Sequence, residues 1–99
     1  MLEALLTPQA VAVIGASGTA GKVGHELVAT RIDSRYSGAI VPINPSAEEV
    51  LGLKCYPDLK TYGKKIDLSI ISVPTPLVKL SGEASIAAGA GAIVTITAG

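Results

Sequence analysis

Val11-Ala12-Val13-Ile14-Gly15-Ala16-Ser17-Gly18-Thr19-Ala20-Gly21-Lys22-Val23-Gly24 is the stretch whose reading decides the fold. An apolar run stops at a glycine, three more glycines follow at three-residue steps, and an apolar helical pattern then begins. This is the layout of a buried parallel strand, a tight loop and a helix. Gly15 suits the sharp turn off the strand, and Gly18 lets phosphates come close to bare backbone. Gly21 and Gly24 let the helix lie close to the sheet. The unpaired N–H groups that open the helix aim back at the loop, where the helix dipole favours an anion. The pattern reads as a diphosphate cradle. Its spacing, G-x-x-G-x-x-G, departs from the dinucleotide fingerprint G-x-G-x-x-G, which wants its second glycine where Ser17 stands. A tight βα turn without any ligand is the plain alternative.

Working outward, Leu2 to Leu6 predicts a short helical turn stopped before Pro8, and Ala10 to Ile14 a first strand. From Lys22 the apolar positions Val23, Leu27, Val28 and Ile32 form the one-sided stripe of a helix. Ala39 to Ile43 predicts a second strand, whose Pro42 suits a sheet edge or a strand end. Ser46-Ala47-Glu48-Glu49 fits a capping box, predicting a helical turn that ends at a left-handed Gly52. Leu53 to Tyr56 reads as a short strand, Pro57 to Lys60 as the start of another helical turn, and Tyr62 to Lys65 as a solvated loop. Leu68 to Val73 is a clear strand. A helix follows, capped by Thr75 with Pro76 in its first position, running to about Ala88 and stopped by Gly89. Gly91 to Ile96 is the last strand. Strands alternating with helices predict an α/β, doubly wound parallel sheet.

The composition narrows the partners. Lys and Arg balance Asp and Glu, so no basic excess drives binding to nucleic acid or a membrane surface. Cys55 is the single cysteine, which rules out an internal disulfide and a cysteine-based zinc site; a reducing cytoplasm is the default. The start lacks a basic segment of the signal-peptide kind, and no apolar run is long enough to span a bilayer. No metal site is expected.

In doubly wound sheets the ligand lies beyond the carboxyl ends of the strands. The predicted tips are Gly15-Ala16-Ser17, Ile43-Asn44-Pro45, Val73-Pro74-Thr75 and Ile96-Thr97-Ala98. They carry hydroxyls, an amide, prolines and backbone, which hold a ligand without proton chemistry, so no catalytic residue is assigned. A nicotinamide dinucleotide wants a carboxylate at the second tip, and Asn44 stands there instead.

The Gly15-Ala16-Ser17-x-x-x-Gly21-Lys22-Val23-Gly24 loop, Val41-Pro42-Ile43-Asn44-Pro45 and Leu51-Gly52-Leu53-Lys54-Cys55-Tyr56-Pro57 form one group of matches. Asp67-Leu68-x-Ile70-Ile71-x-Val73-Pro74 and Ile96-Thr97-Ala98-Gly99 form another. Together they resemble the N-terminal CoA-binding domain of ADP-forming acyl-CoA (acetyl-CoA) synthetases, with the alpha subunit of succinyl-CoA synthetase more distant. The resemblance implies a Rossmann-like site for coenzyme A. Ser17, Gly18, Thr19, Ala20 and Gly21, with Gly15, Lys22 and Val23 beside them, would hold its phosphates. Asn44, Pro45, Val73, Pro74, Ile96, Thr97 and Ala98 would line the rest. It further implies that residues 1–99 are one truncated domain of a longer cytoplasmic ligase. The full enzyme converts acyl-CoA, ADP and phosphate to acid, CoA and ATP through a phosphohistidine borne on a later domain. The remaining synthetase domains or subunits would be its partners, and this piece alone would be inactive. Two other readings stand beside it. One is a CoA-binding sensor module, free-standing or fused to a protein acetyltransferase; the other is an NAD-binding regulatory domain.

Several residues have plainer readings. Lys22 faces an unfavourable dipole unless an anion is bound. Ser17 and Thr19 can donate to phosphate or cap the helix, Lys54 can reach the extra ribose phosphate of CoA or be an ordinary surface lysine, and Cys55 reads as a core thiol.

Overall fold

The computed structural model describes residues 10–16, 18, 22–33 and 38–96. The expected turn at Leu2–Leu6 lies outside them. Strand β1 (Ala10–Ile14) leads through the glycine turn into helix α1 (Val23–Asp33), followed by β2 (Ala39–Ile43). Two short strands, β3 (Glu49–Val50) and β4 (Leu53–Lys54), precede helix α2 (Leu59–Tyr62). Strand β5 (Leu68–Ile71), helix α3 (Thr75–Ala87) and β6 (Ala92–Thr95) complete the order.

β2, β1, β5 and β6 lie side by side in that order, every pair parallel. The chain leaves β1 to one side for β2, then crosses to the other side for β5. The order therefore reverses between β1 and β5, and the sheet is Rossmann-like. β1 and β5 are buried along their whole lengths, as expected of central strands covered on both faces.

Alternate residues sort the two layers. Ala10, Ala12, Ile14, Val41, Ile43 and Ile71 pack with Leu59 of α2 on one face. Val13 packs with Val28 and Leu27 of α1, and with Val50 and Cys55, on the other. Ser69 of β5 points at α3. Its hydroxyl is 2.7 Å from that of Ser85, which is 2.8 Å from the Ser81 carbonyl. One proton on each hydroxyl serves both contacts when Ser69 donates to Ser85 and Ser85 to the carbonyl. At the amino ends, Asp67 accepts from the Ala10 N–H at 3.0 Å, and its own N–H donates to the Ala10 carbonyl at 2.9 Å.

Pro42 does sit in an edge strand, and its position explains why it is tolerated. The Pro42 carbonyl accepts from Tyr56 N–H (3.0 Å), and Asn44 N–H donates to Tyr56 (2.9 Å). Residue 42 thus turns its backbone groups outward, so its missing N–H costs no bond to β1. The same two bonds add Tyr56 as a parallel bridge beside Ile43.

One expected element is replaced. Ser46–Glu49 does not open a helical turn; a β3–β4 hairpin forms, pairing Glu49 with Lys54 and Val50 with Leu53. Asn44 Oδ1 accepts the Ser46 N–H at 2.7 Å, which makes Ser46 a turn residue instead of a cap. Cys55 N–H then bonds the Glu48 carbonyl at 2.9 Å, and Val50 is fully buried. Tertiary burial overrides the local cap signal. Gly52 is left-handed as expected, but it closes a hairpin and not a helix, with Leu51 left-handed before it (φ 52° and 82°). Smaller shifts occur elsewhere. Helix α3 is entered from Pro74, so Pro76 falls one place further in, and Tyr62 closes α2 instead of lying in a loop.

Positive φ at both central residues is the two-residue hairpin geometry that favours Asn-Gly. Leu51 is exposed, so its side chain contributes little packing against the cost of that backbone. Leu51→Asn is expected to stabilise the protein by about 0.5–1 kcal/mol, read as a higher midpoint in urea denaturation.

Candidate functional site

The carboxyl ends of β1 and β5 meet where the strand order reverses, the place where α/β sheets bind ligands. Gly15 leaves β1 with φ 91°. An added Cβ would run into the Ser72 carbonyl, lying 2.8 Å from its carbon and 3.1 Å from Val73 Cγ1. A Cβ at Gly24 would meet the Gly15 carbonyl, 2.8 Å from its carbon and 3.0 Å from Ala16 Cα. Both glycines are therefore demanded by close backbone approach. Gly18 differs: among the described residues nothing lies within 4 Å of an added Cβ, and the residue is exposed.

Lys22 carbonyl accepts the N–H groups of His25 and Glu26, each at 3.1 Å, so the helix opens at Lys22. An exposed ammonium at a helix N-terminus is unfavourable unless an anion offsets it.

Asn44 stitches the first two tips together. Its Nδ2 donates to the Ala16 carbonyl at 2.7 Å while its Oδ1 holds Ser46 N–H. The Ile43 carbonyl accepts from both Gly15 and Ala16 N–H, at 3.0 and 3.3 Å. The Asn44 amide therefore shapes the turn.

A cleft of about 320 Å³ opens between these tips and helices α2 and α3. Gly15, Asn44, Pro45 and Val73 line it, so four of the expected residues come together. Gly18, Lys22, Pro74 and Ile96 do not line it; Ile96 packs on Val11, Leu68 and Ile70. Val23 opens α1. Ser17, Thr19, Ala20, Gly21, Thr97 and Ala98 lie outside the described residues. A larger groove of about 670 Å³, lined by Lys60, Lys64, Lys65 and Ala87, touches none of the tips; the topology favours the smaller cleft.

The helices supply wall residues that inspection of strand tips does not reveal: Pro57, Asp58 and Leu59 from the start of α2, and Leu77, Leu80 and Ser81 from α3. Tyr56, bridged to Ile43, carries Pro57 and Asp58 to the side of Asn44. A carboxylate thus reaches the crevice from α2, though the second strand tip has none. Asp58 caps α2, its Oδ1 accepting from Thr61 N–H at 2.7 Å, and this bond holds the carboxyl below its ordinary value. The visible signal was the Pro-Asp pair opening a helix directly after a strand.

Catalytic groups are sparse. Asp58 is the one ionisable residue lining the cleft among the described residues, and no group of three His, Cys, Asp or Glu there can hold a metal. His25 lies off the cleft, with Nδ1 3.5 Å from Glu26 Oε1. Cys55 is buried, and burial pushes its thiol up. Lys54 Nζ lies 5.0 Å from the centre of the Tyr56 ring. No helix among the described residues is long and apolar enough to cross a membrane.

Residues 9–98 match the family model described as a CoA binding domain. The chain belongs to that family. It is 43% identical over 77 residues to an ADP-forming acetate–CoA ligase (II) of Archaeoglobus fulgidus, covering 78% of this chain and 11% of the relative. It is 37% identical to the alpha subunit of an ADP-forming acetate–CoA ligase (II) of Pyrococcus furiosus, covering 100% of this chain and 21% of that subunit. A solved apo structure of a dinucleotide-forming acetyl-coenzyme A synthetase 1 from Ca. Korarchaeum cryptofilum superposes with a TM-score of 0.93 at 38% identity. That match covers 100% of this chain and 22% of the synthetase. The chain thus spans about a tenth to a fifth of these relatives' lengths. The glycine turn, the Asn44 stitch and the cleft are how this CoA binding domain shapes its crevice.

The three glycines separate by experiment. Gly15→Ala and Gly24→Ala force a Cβ into backbone and are expected to cost about 2–4 kcal/mol. Gly18→Val should stay within about 0.5 kcal/mol of the parent. Urea denaturation followed by circular dichroism checks all three.

Proposed function

We propose that this chain binds coenzyme A as the CoA-binding part of an ADP-forming acyl-CoA synthetase. Such an enzyme interconverts acyl-CoA, ADP and phosphate with the free acid, CoA and ATP. The observation that carries the reading is the family match from residue 9 to residue 98. Two features add support: a cleft built at the strand-order reversal and, outside its lining, exposed Gly18 and the Lys22 cation at the opening of α1. Bound CoA supplies the thiol that takes the acyl group. The chain's own residues bind and orient. Ser17 to Val23, with Gly15, receive the phosphates, while Asn44, Pro45, Val73 and Pro74, with Ile96, Thr97 and Ala98, line the remainder.

This division leaves the bond-making groups to other domains or subunits of a longer cytoplasmic synthetase, of which residues 1–99 are one domain. On this reading the piece alone does not turn over.

CoA is expected to raise the melting temperature, by an amount equivalent to about 2.7 kcal/mol at a hundredfold excess over Kd. NAD at the same concentration should not. Gly18→Val should weaken CoA binding in isothermal titration while leaving the melt unchanged. A shift with NAD and none with CoA overturns the proposal.

A further inference from the structure

The cleft has an uneven chemistry. Pro45, Leu59, Val73, Leu77 and Leu80 give it an apolar wall, and Asp58 is its ionisable member. An apolar slot with a few polar groups at its margin suits a flat heteroaromatic ring. Asp58 is exposed and ionised at neutral pH, because the Thr61 N–H favours the charged form. An ionised carboxylate only accepts hydrogen bonds, and it does so at two oxygens. Thr61 N–H engages Oδ1 at 2.7 Å, and the Thr61 hydroxyl and Lys60 N–H also favour the charged form; the two oxygens, with about four lone-pair sites between them, still leave acceptor capacity at the rim. The group that meets Asp58 must therefore be a donor and not a phosphate.

The layers of the fold keep these demands apart. The anion-favouring end of α1, with Lys22, lies on one face of the sheet, while α2 and Asp58 lie on the other. A nucleotide crossing the strand tips can place its phosphates at the first and its base at the second. Adenine presents an exocyclic amino group, a donor; hypoxanthine presents a carbonyl oxygen at the same position.

We propose that Asp58 is a specificity-determining residue of this cleft, accepting a hydrogen bond from the amino group of an adenine seated against the apolar wall. This rests on the CoA reading above and deepens it, since CoA carries an adenine. The residue serves two roles: one oxygen starts α2, and the carboxylate as a whole selects the base.

The double role guides the choice of variants. Asn and Ser both cap helices well, so Asp58→Asn and Asp58→Ser keep the start of α2, which thermal melts verify. Asn with its oxygen held by Thr61 N–H offers an amide donor at the rim, and Ser offers a shorter group.

The experiment is isothermal titration of the parent chain and both variants with CoA and with CoA deaminated to its hypoxanthine form. The parent should prefer CoA by about tenfold or more, the scale of a hydrogen bond to a charged group. Asp58→Asn should bring the two ligands within about twofold of each other or invert the order, mainly by weakening CoA. Asp58→Ser should lose the preference without inverting it. Unchanged preference in both variants overturns the role of Asp58 and leaves the CoA reading standing. Equal binding of both ligands by the parent does the same. No binding of either ligand by the parent overturns the CoA reading, and the role of Asp58 with it.

Discussion

Everything at the carboxyl end of this sheet depends on one close approach of backbone to backbone. Gly15 lies against the Ser72 carbonyl on one side and is covered by Gly24 on the other, with no room for a Cβ at either glycine. The contact joins three elements at once: the end of β1, the end of β5 and the first turn of α1. Because the strand order reverses between β1 and β5, drawing those ends together sets the floor of the crevice. Ser72 N–H bonds the Ile14 carbonyl at 2.8 Å, continuing the ladder to the rim, so the floor is part of the sheet. A side chain at Gly15 or Gly24 would therefore alter the site and the fold together. Gly18 is outside this packing and free of that constraint.

That division explains what could be read in advance. The central strands were legible because their runs are apolar, broken in β5 only by Ser69, and β1 and β5 are indeed buried along their lengths. Pro42 pointed to a sheet edge or a strand end, and β2 is an edge strand; the helix stop was legible from Gly89, whose backbone is left-handed. What escaped was decided by contacts outside the four-residue segment that carries the signal. Ser46 to Glu49 carries a sound capping signal, but Asn44 takes the Ser46 N–H and Cys55 pairs with Glu48. Both partners come from outside the window in which a cap is judged. The cleft wall escaped for a related reason. Strand tips can be listed from sequence, but which helix residues lean over them depends on how α2 and α3 pack against β5. The buried Ser69–Ser85 contact and the burial of Leu59 settle that packing, and neither has a local sequence signal.

The bridge from Ile43 to Tyr56 has an effect beyond closing the edge of the sheet. It extends the carboxyl-end rim by one strand position without adding a full strand. Pro57 and Asp58 thereby reach the crevice, and the helix they start is only one turn long, held by Asp58 at one end and left-handed Gly63 at the other. The absence of an acid at Asn44, read along the chain, counted against ligands that need a carboxylate near the second strand. In space a carboxylate does reach the cleft, but from the start of α2 and not from the β2 tip where Asn44 stands. Topology, and not the identity of a single tip residue, determines which charges line the cleft.

The polar groups around the rim are largely engaged in holding its shape. The Asn44 amide is engaged through both its nitrogen and its oxygen in holding Ala16 and Ser46. The Ile43 and Ile14 carbonyls are engaged with neighbouring tips. Thr61 N–H occupies one oxygen of Asp58 and favours the ionised form, so the group stands as a fixed acceptor at neutral pH. General acid–base catalysis needs a group whose pKa lies near the working pH and within reach of a second participant. Asp58 is displaced away from that range, and the described walls of the cleft offer it no titratable partner. The same bonds that fix the shape of the rim leave it suited to reading a ligand's outline and hydrogen-bond pattern.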